Sequence, residues 1–214
     1  MKKITLSFDN GPDPAVTPQV LDILRRHDVL TTFFVVGERL RDATRRAACE
    51  RARAEGHKIG NHSHNHLMPL GMSRTQGVAI REIGEAQKQI GRLSEDPPLF
   101  RPSGALGALN ETLFNAEAAA YLQQNGYTCV LWNAIPRDWD EPEAWVETAL
   151  GQCQTLDWPV VVLHDLQTGA MDRLDDFLCR AMDLGMEIVQ DFPPDCMPIV
   201  GGQVVLPING YISL

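Results

Sequence analysis

The sequence predicts an α/β protein built on a parallel sheet, and three observations predict it. Short β-rich runs alternate with amphipathic stretches along most of the chain, and parallel strands need the crossover connections that such alternation supplies. Residues 160–163 are apolar throughout, as in a strand covered on both faces. The chemically distinctive polar residues fall just after the strand-like runs, where parallel sheets, open or closed, gather their chemistry.

Residues 3–8 form the first strand. In the helix that follows, Thr17 is placed to cap, Pro18 suits the first turn, and Val20, Leu21 and Leu24 form the buried stripe. Residues 31–36 are the second strand, and an Arg- and Ala-rich helix over 40–55 ends at Gly56. Residues 57–61 are the third strand. A long helix over about 73–94 carries Ile80, Ile83 and Ile90 on one face and stops before Pro97 and Pro98. The fourth strand covers 99–101, a helix 112–125, the fifth strand 127–132, a further helix 142–154 and the sixth strand 160–163. Leu174, Phe177, Leu178 and Ala181 stripe the last helix, which Gly185 ends, and 187–189 is a seventh strand. No linker and no internal repeat interrupts this order. Residues 1–214 therefore read as a single domain, with a core over about 1–190 and an irregular tail over 191–214 in which only 203–206 is strand-like.

At 214 residues and 44% hydrophobic content the chain is the size of one domain with a substantial core. Nineteen basic against twenty-eight acidic residues give a net charge of -9, which argues against nucleic-acid and anionic-membrane partners. A small-molecule or saccharide substrate fits better. No apolar run approaches the roughly twenty residues of a membrane span. Met1, Lys2 and Lys3 lead straight into the first strand with no cleavage site, so the expected location is cytoplasmic. The five cysteines are scattered, odd in number and lack metal-ligand spacing, and are read as reduced thiols.

His62 and His66 stand four residues apart after the third strand, a spacing that lets two imidazoles face one metal ion. A bare His-x-x-x-His also occurs as a solvated loop. Asp9, at the end of the first strand and before Asn10-Gly11-Pro12, is placed to take a proton from an activated water or, equally, to start a turn. Arg101 follows the fourth strand, Asp138 and Trp139 the fifth, and His164 and Asp165 the sixth.

Five segments in order resemble the NodB-homology polysaccharide deacetylases, carbohydrate esterase family four: Ser7-Phe8-Asp9-Asn10-Gly11-Pro12, Asn61-His62-Ser63-His64-Asn65-His66, Phe100-Arg101-Pro102, Arg137-Asp138-Trp139 and Leu163-His164-Asp165. The resemblance implies a distorted (β/α) barrel of about seven parallel strands and metal-assisted attack of water on an N-acyl group, acetyl first among them, of an amino sugar. It implies Asp9 as general base, Arg101 as the residue that holds that carboxylate, and His164 as the acid that protonates the departing amine. His62, His66 and Asn10 match the metal ligands, with zinc the expected ion. Trp139 and Leu163 match the acetyl pocket. A backbone donor for the oxyanion is expected within 103–107, beginning at Ser103, although 102–107 departs from the usual Pro-Pro-Tyr-Gly.

Two departures bear on mechanism. Asn10 offers an amide oxygen where the family has a carboxylate, which weakens a divalent site. Ile135 stands where many members have an Asp that tunes the catalytic histidine, so His164 is expected to hold its proton less tightly unless Asp138 or Asp165 compensates. Two other readings follow from these departures: a metal-independent hydrolase of a small amide or cyclic imide, and a degenerate domain that binds a saccharide or protein without turnover.

Overall fold

A computed structural model describes residues 2–213. Its central element is β1 (Lys2–Asp9), whose last six residues are buried. On one edge its residues Ser7, Phe8 and Asp9 lie in register with Thr32, Phe33 and Phe34 of β2 (Thr32–Val35). The other edge carries β6 (Val160–His164), with Asp9 opposite His164. From β2 the sheet continues in parallel through β3 (Lys58–Asn61), β4 (Leu99–Phe100) and β5 (Thr128–Cys129). Beyond β5, Ala134 bridges to Val161, and this contact brings the far side of the sheet back to β6. The result is the distorted (β/α) barrel expected.

Strand β7 (Met186–Val189) also runs parallel to β1, along its first half. Thr5 is in register with both Val160 and Val189, so β7 occupies the edge of β1 that β2 takes further along. The Gln190 side-chain amide fixes this arrangement by donating to the carbonyls of Thr31 and Gly56, both at 3.0 Å. Among the described residues, seven parallel strands thus form the barrel. The tail is more ordered than its sequence pattern suggests: β8 (Ile199–Val200) pairs antiparallel with β5 and turns into β9 (Gln203–Val204). It also explains why the fifth strand is shorter than expected, because the Leu131 amide donates to the Cys196 carbonyl at 2.8 Å instead of continuing the ladder.

The helices form where the apolar periodicity places them, with corrected ends. Helix α1 (Val16–Arg26) starts before Thr17, and the Asp13 carboxylate accepts from the amides of Ala15 and Val16. Thr17 is therefore not the cap. The stretch expected as one helix over 40–55 breaks at Asp42, which is extended and caps α2 (Ala43–Ala54) by accepting from the Arg45 amide. The long helix over 73–94 begins only at residue 78, passes through a π turn (Ile80–Gly84) and continues as α3 (Glu85–Ile90). Helices α4 (Ala116–Gln124), α5 (Trp145–Thr155) and α6 (Leu174–Asp183) complete the outer layer. Among the described residues no helix is long and apolar enough to cross a membrane.

Two buried clusters fill the structure, one between β1 and helices α1, α5 and α6, the other around Phe34, Phe100 and Phe114. Gly60 belongs to the second by omission: a Cβ there would lie 2.4 Å from the Phe34 ring. Overpacking of this kind costs about 1–3 kcal/mol. Gly60→Ala is expected to lower the melting temperature in calorimetry, and an unchanged transition would show that Phe34 is free to move aside.

Candidate active site

Arg101 follows β4 and is fully buried. Its Nη1 donates to Asp9 Oδ1 at 2.9 Å and to Ser7 Oγ at 2.6 Å, while Nε reaches the Val130 carbonyl at 3.3 Å. The Phe34 ring lies 4.1 Å beneath the guanidinium, a contact that stabilises a desolvated cation. Burial alone would raise the Asp9 pKa, but the charge and hydrogen bond of Arg101, helped by His164, outweigh it and hold the carboxyl below the usual carboxylate range. Asp9 is thereby an ionised base with almost no exposure to water.

His62 leaves β3 with its Nδ1 2.9 Å from the Arg101 carbonyl. A carbonyl only accepts, so Nδ1 carries the hydrogen and the Nε2 lone pair is left free. That Nε2 lies 3.7 Å from Asp9 Oδ2. The His66 ring stands 4.6 Å from the His62 ring, centre to centre. The turn between them passes through left-handed backbone at Ser63 and His66. It is stitched together by the Asn61 side chain, the Ser63 hydroxyl, and Glu82, whose carboxylate accepts from the amides of His64 and Asn65. Glu82 projects from the π turn before α3, an irregularity of a kind common beside functional sites. Burial pushes the His62 pKa down to about 3 and lowers that of His66, so both imidazoles are neutral.

Asn10 adopts a left-handed φ of 70°, which Asn tolerates better than most side chains. Its Oδ1 is buried without a hydrogen-bond partner. A buried acceptor left unpaired costs free energy unless a ligand meets it. Two neutral imidazoles and this orphaned amide oxygen therefore make a donor set that fits a divalent transition metal ion.

His164 ends β6, and Asp138 clamps it twice, accepting from Nδ1 at 2.9 Å and from the backbone amide at 2.8 Å. Burial works against the imidazolium, but Asp138, Asp9 and Asp165 together overcome it and the His164 pKa is raised. Of the two compensating carboxylates that the sequence offered, it is Asp138 that makes up for the charge missing at Ile135, three residues later and fully buried. Asp165 turns the other way, accepting from the Thr17 hydroxyl, and burial pushes its pKa up to about 7. The Trp139 ring meets the His164 ring edge-on at 4.9 Å.

Asp9, Asn10, His62, His66, Trp139 and His164 line one cavity of about 190 Å³. Arg101 lies behind Asp9. Two expected residues do not reach this cavity. Leu163 is fully buried among the core residues between β1 and the helices, and Val162, two residues before His164 and so on the same strand face, lines the cavity instead. Ser103 is buried, and the loop offers Pro102, Gly104, Leu106 and Gly107 in its place. The strand alternation already held the signal for Val162, and the same period places Ser7 beside Asp9. Nothing in the sequence pattern marked Leu106 or Glu82.

A barrel with a carboxylate, two adjacent neutral imidazoles and a separately supported histidine at the ends of its strands defines a hydrolase architecture. Residues 1–130 match the family model described as polysaccharide deacetylase, and the chain belongs to that family. It is 36% identical over 176 residues to a peptidoglycan-N-acetylglucosamine deacetylase of Bacillus cereus, covering 80% of this chain and 75% of that one. A chitooligosaccharide deacetylase of Rhizobium leguminosarum bv. phaseoli is 35% identical over 199 residues, covering 88% and 81%. Longer relatives match over only 38% of their own length. Among solved structures, a family 4 acetyl xylan esterase from Clostridium thermocellum in complex with a cobalt ion superposes with a TM-score of 0.70 at 26% identity, covering 88% of each chain. Members of the family generally depend on a divalent metal.

The clamp on His164 is directly measurable. Asp138→Asn removes the anion that favours the imidazolium, and an NMR titration of the His164 ring is expected to show a lower pKa than in the wild type. An unchanged midpoint would show that other groups set it.

Proposed function

We propose that this chain hydrolyses the N-acetyl group of an amino sugar within a saccharide, N-acetylglucosamine being the unit that fits best, with zinc as its ion. The observation that carries the reading is that one cavity holds an ionised base and a protonatable acid, each kept in its working state by a buried partner of opposite charge. Asp9 is paired with Arg101 at 2.9 Å and His164 with Asp138 at 2.9 Å. Two close relatives named as deacetylases of such sugars support the substrate class.

His62, His66 and Asn10 would hold the ion, which supplies Lewis acidity toward the acyl oxygen and the attacking water. Asp9 accepts the proton that the water gives up as its oxygen bonds to the acyl carbon. His164 donates from Nε2, since Nδ1 is engaged by Asp138, and protonates the nitrogen as the carbon–nitrogen bond breaks. The products are acetate and a free amine. Trp139, Trp132 and Val162 wall off part of the cavity from water, which strengthens the electrostatic interactions inside it. Because the Asp9 pKa is lowered and the His164 pKa raised, base and acid are both in working form across a wide interval around neutral pH. Activity falls on the acid side as Asp9 protonates and on the alkaline side as His164 loses its proton.

The neutral Asn10 ligand favours one competing reading, hydrolysis of a small amide or cyclic imide without metal. The two separate in one assay of acetate release from an N-acetylated chitooligosaccharide. Supplied with zinc or cobalt, the protein is expected to turn over. Exhaustive chelation is expected to stop it, and Asp9→Asn to lower kcat by about 10²–10⁴. Turnover that survives chelation would support the competing reading, and no acetate release with either metal would sink the proposal.

A further inference from the structure

The loop after Arg101 is held firmly at its base and strained at its tip. Gly104 packs so closely on Trp132 that a Cβ would lie 2.6 Å from the indole, and the Trp132 Nε1 donates to the Gly107 carbonyl at 2.9 Å. Gly107 itself has a φ of 81° and sits over Ile135. Between these anchors Leu106 adopts φ 50° and ψ 32°, a left-handed conformation that leucine rarely takes. Its side chain is 84% exposed, yet it lines the cavity that contains Asp9 and His164. The fold gains nothing from either feature, because the leucine buries almost none of its surface and a glycine would take this backbone without strain. Strain that the surrounding structure enforces clusters at ligand sites, and here it holds an apolar side chain against the cavity of Asp9 and His164.

We propose that Leu106 is a specificity-determining contact, an apolar platform at the cavity mouth for the C–H face of the hexosamine ring that carries the scissile acyl group. The inference rests on the amino-sugar reading given above. The cavity, at about 190 Å³, is smaller than the roughly 300–1,000 Å³ typical of sites that enclose a whole drug-sized ligand. The acyl group enters it and the ring stays at the mouth, where Leu106 is the most exposed of the apolar side chains that line the cavity, with Trp139 and Ile135 half-buried and Trp132 and Val162 buried. Hydrogen bonds orient a sugar, but the C–H face needs an apolar surface.

Steady-state kinetics on an N-acetylated chitooligosaccharide, with melting temperatures of the same samples, test this. Leu106→Gly is expected to raise KM about tenfold with the loss falling on KM rather than kcat, while the melting temperature holds or rises because the strain is relieved. Leu106→Met, which keeps an apolar side chain, is expected to retain a KM close to wild type. A KM unchanged in Leu106→Gly overturns the inference while leaving the amino-sugar reading intact. A lowered melting temperature together with loss of kcat also overturns it, by showing that Leu106 supports the loop. Absence of wild-type turnover overturns both.

Discussion

The Arg101 guanidinium has no exposure to water, and Asp9 answers its charge at 2.9 Å. A buried ion pair is tolerated only when geometry and further hydrogen bonds offset the desolvation of both ions, and much of the barrel is arranged to satisfy that condition. Strand β1 supplies Asp9 and Ser7 from one face, the segment after β5 supplies the carbonyls of Val130 and Leu131, and β2 supplies the Phe34 ring. The Arg101 carbonyl orients His62. One residue therefore sets the charge of Asp9 and the tautomer of His62, and Gly60 is small because Phe34 needs its space.

The acid half of the site repeats the design with the signs reversed. Asp138 holds both the ring and the backbone amide of His164, so the imidazole is fixed in direction and favoured in its charged form. Keeping the two pairs distinct prevents Asp9 and His164 from neutralising each other by proton transfer, since each already has a closer partner. Asn10 brings a neutral amide oxygen, not a carboxylate, to the same cavity. Such an oxygen would hold a divalent ion less tightly than a carboxylate but withdraw less of its Lewis acidity.

The parallel α/β sheet was legible in the sequence because strand and helix periodicities differ and because buried parallel strands are apolar on both faces, whereas its closure into a barrel was implied only by the family resemblance. The principal polar groups were legible because they follow the strands. What escaped was set by contacts distant in sequence. Asp138 could not be told from Asp165 as the partner of His164, since only the path of the backbone after β5 brings it within 2.9 Å. The π turn that aims Glu82 and the tail strand that pairs with β5 leave no periodic mark. Leu163 was misplaced for a simpler reason: adjacency to His164 in the chain puts it on the opposite face of β6, and Val162 lines the cavity instead.

A double-mutant cycle on Arg101 and Asp9, read by urea unfolding, measures the interaction on which this arrangement depends. Arg101→Met alone leaves a buried carboxylate without its cation and is expected to cost about 3–5 kcal/mol. Arg101→Met combined with Asp9→Asn is expected to be more stable than Arg101→Met alone, with a coupling of about 0.5–3 kcal/mol between the two sites. Strictly additive losses would contradict the account, because they would mean that Arg101 does not hold the charge on Asp9.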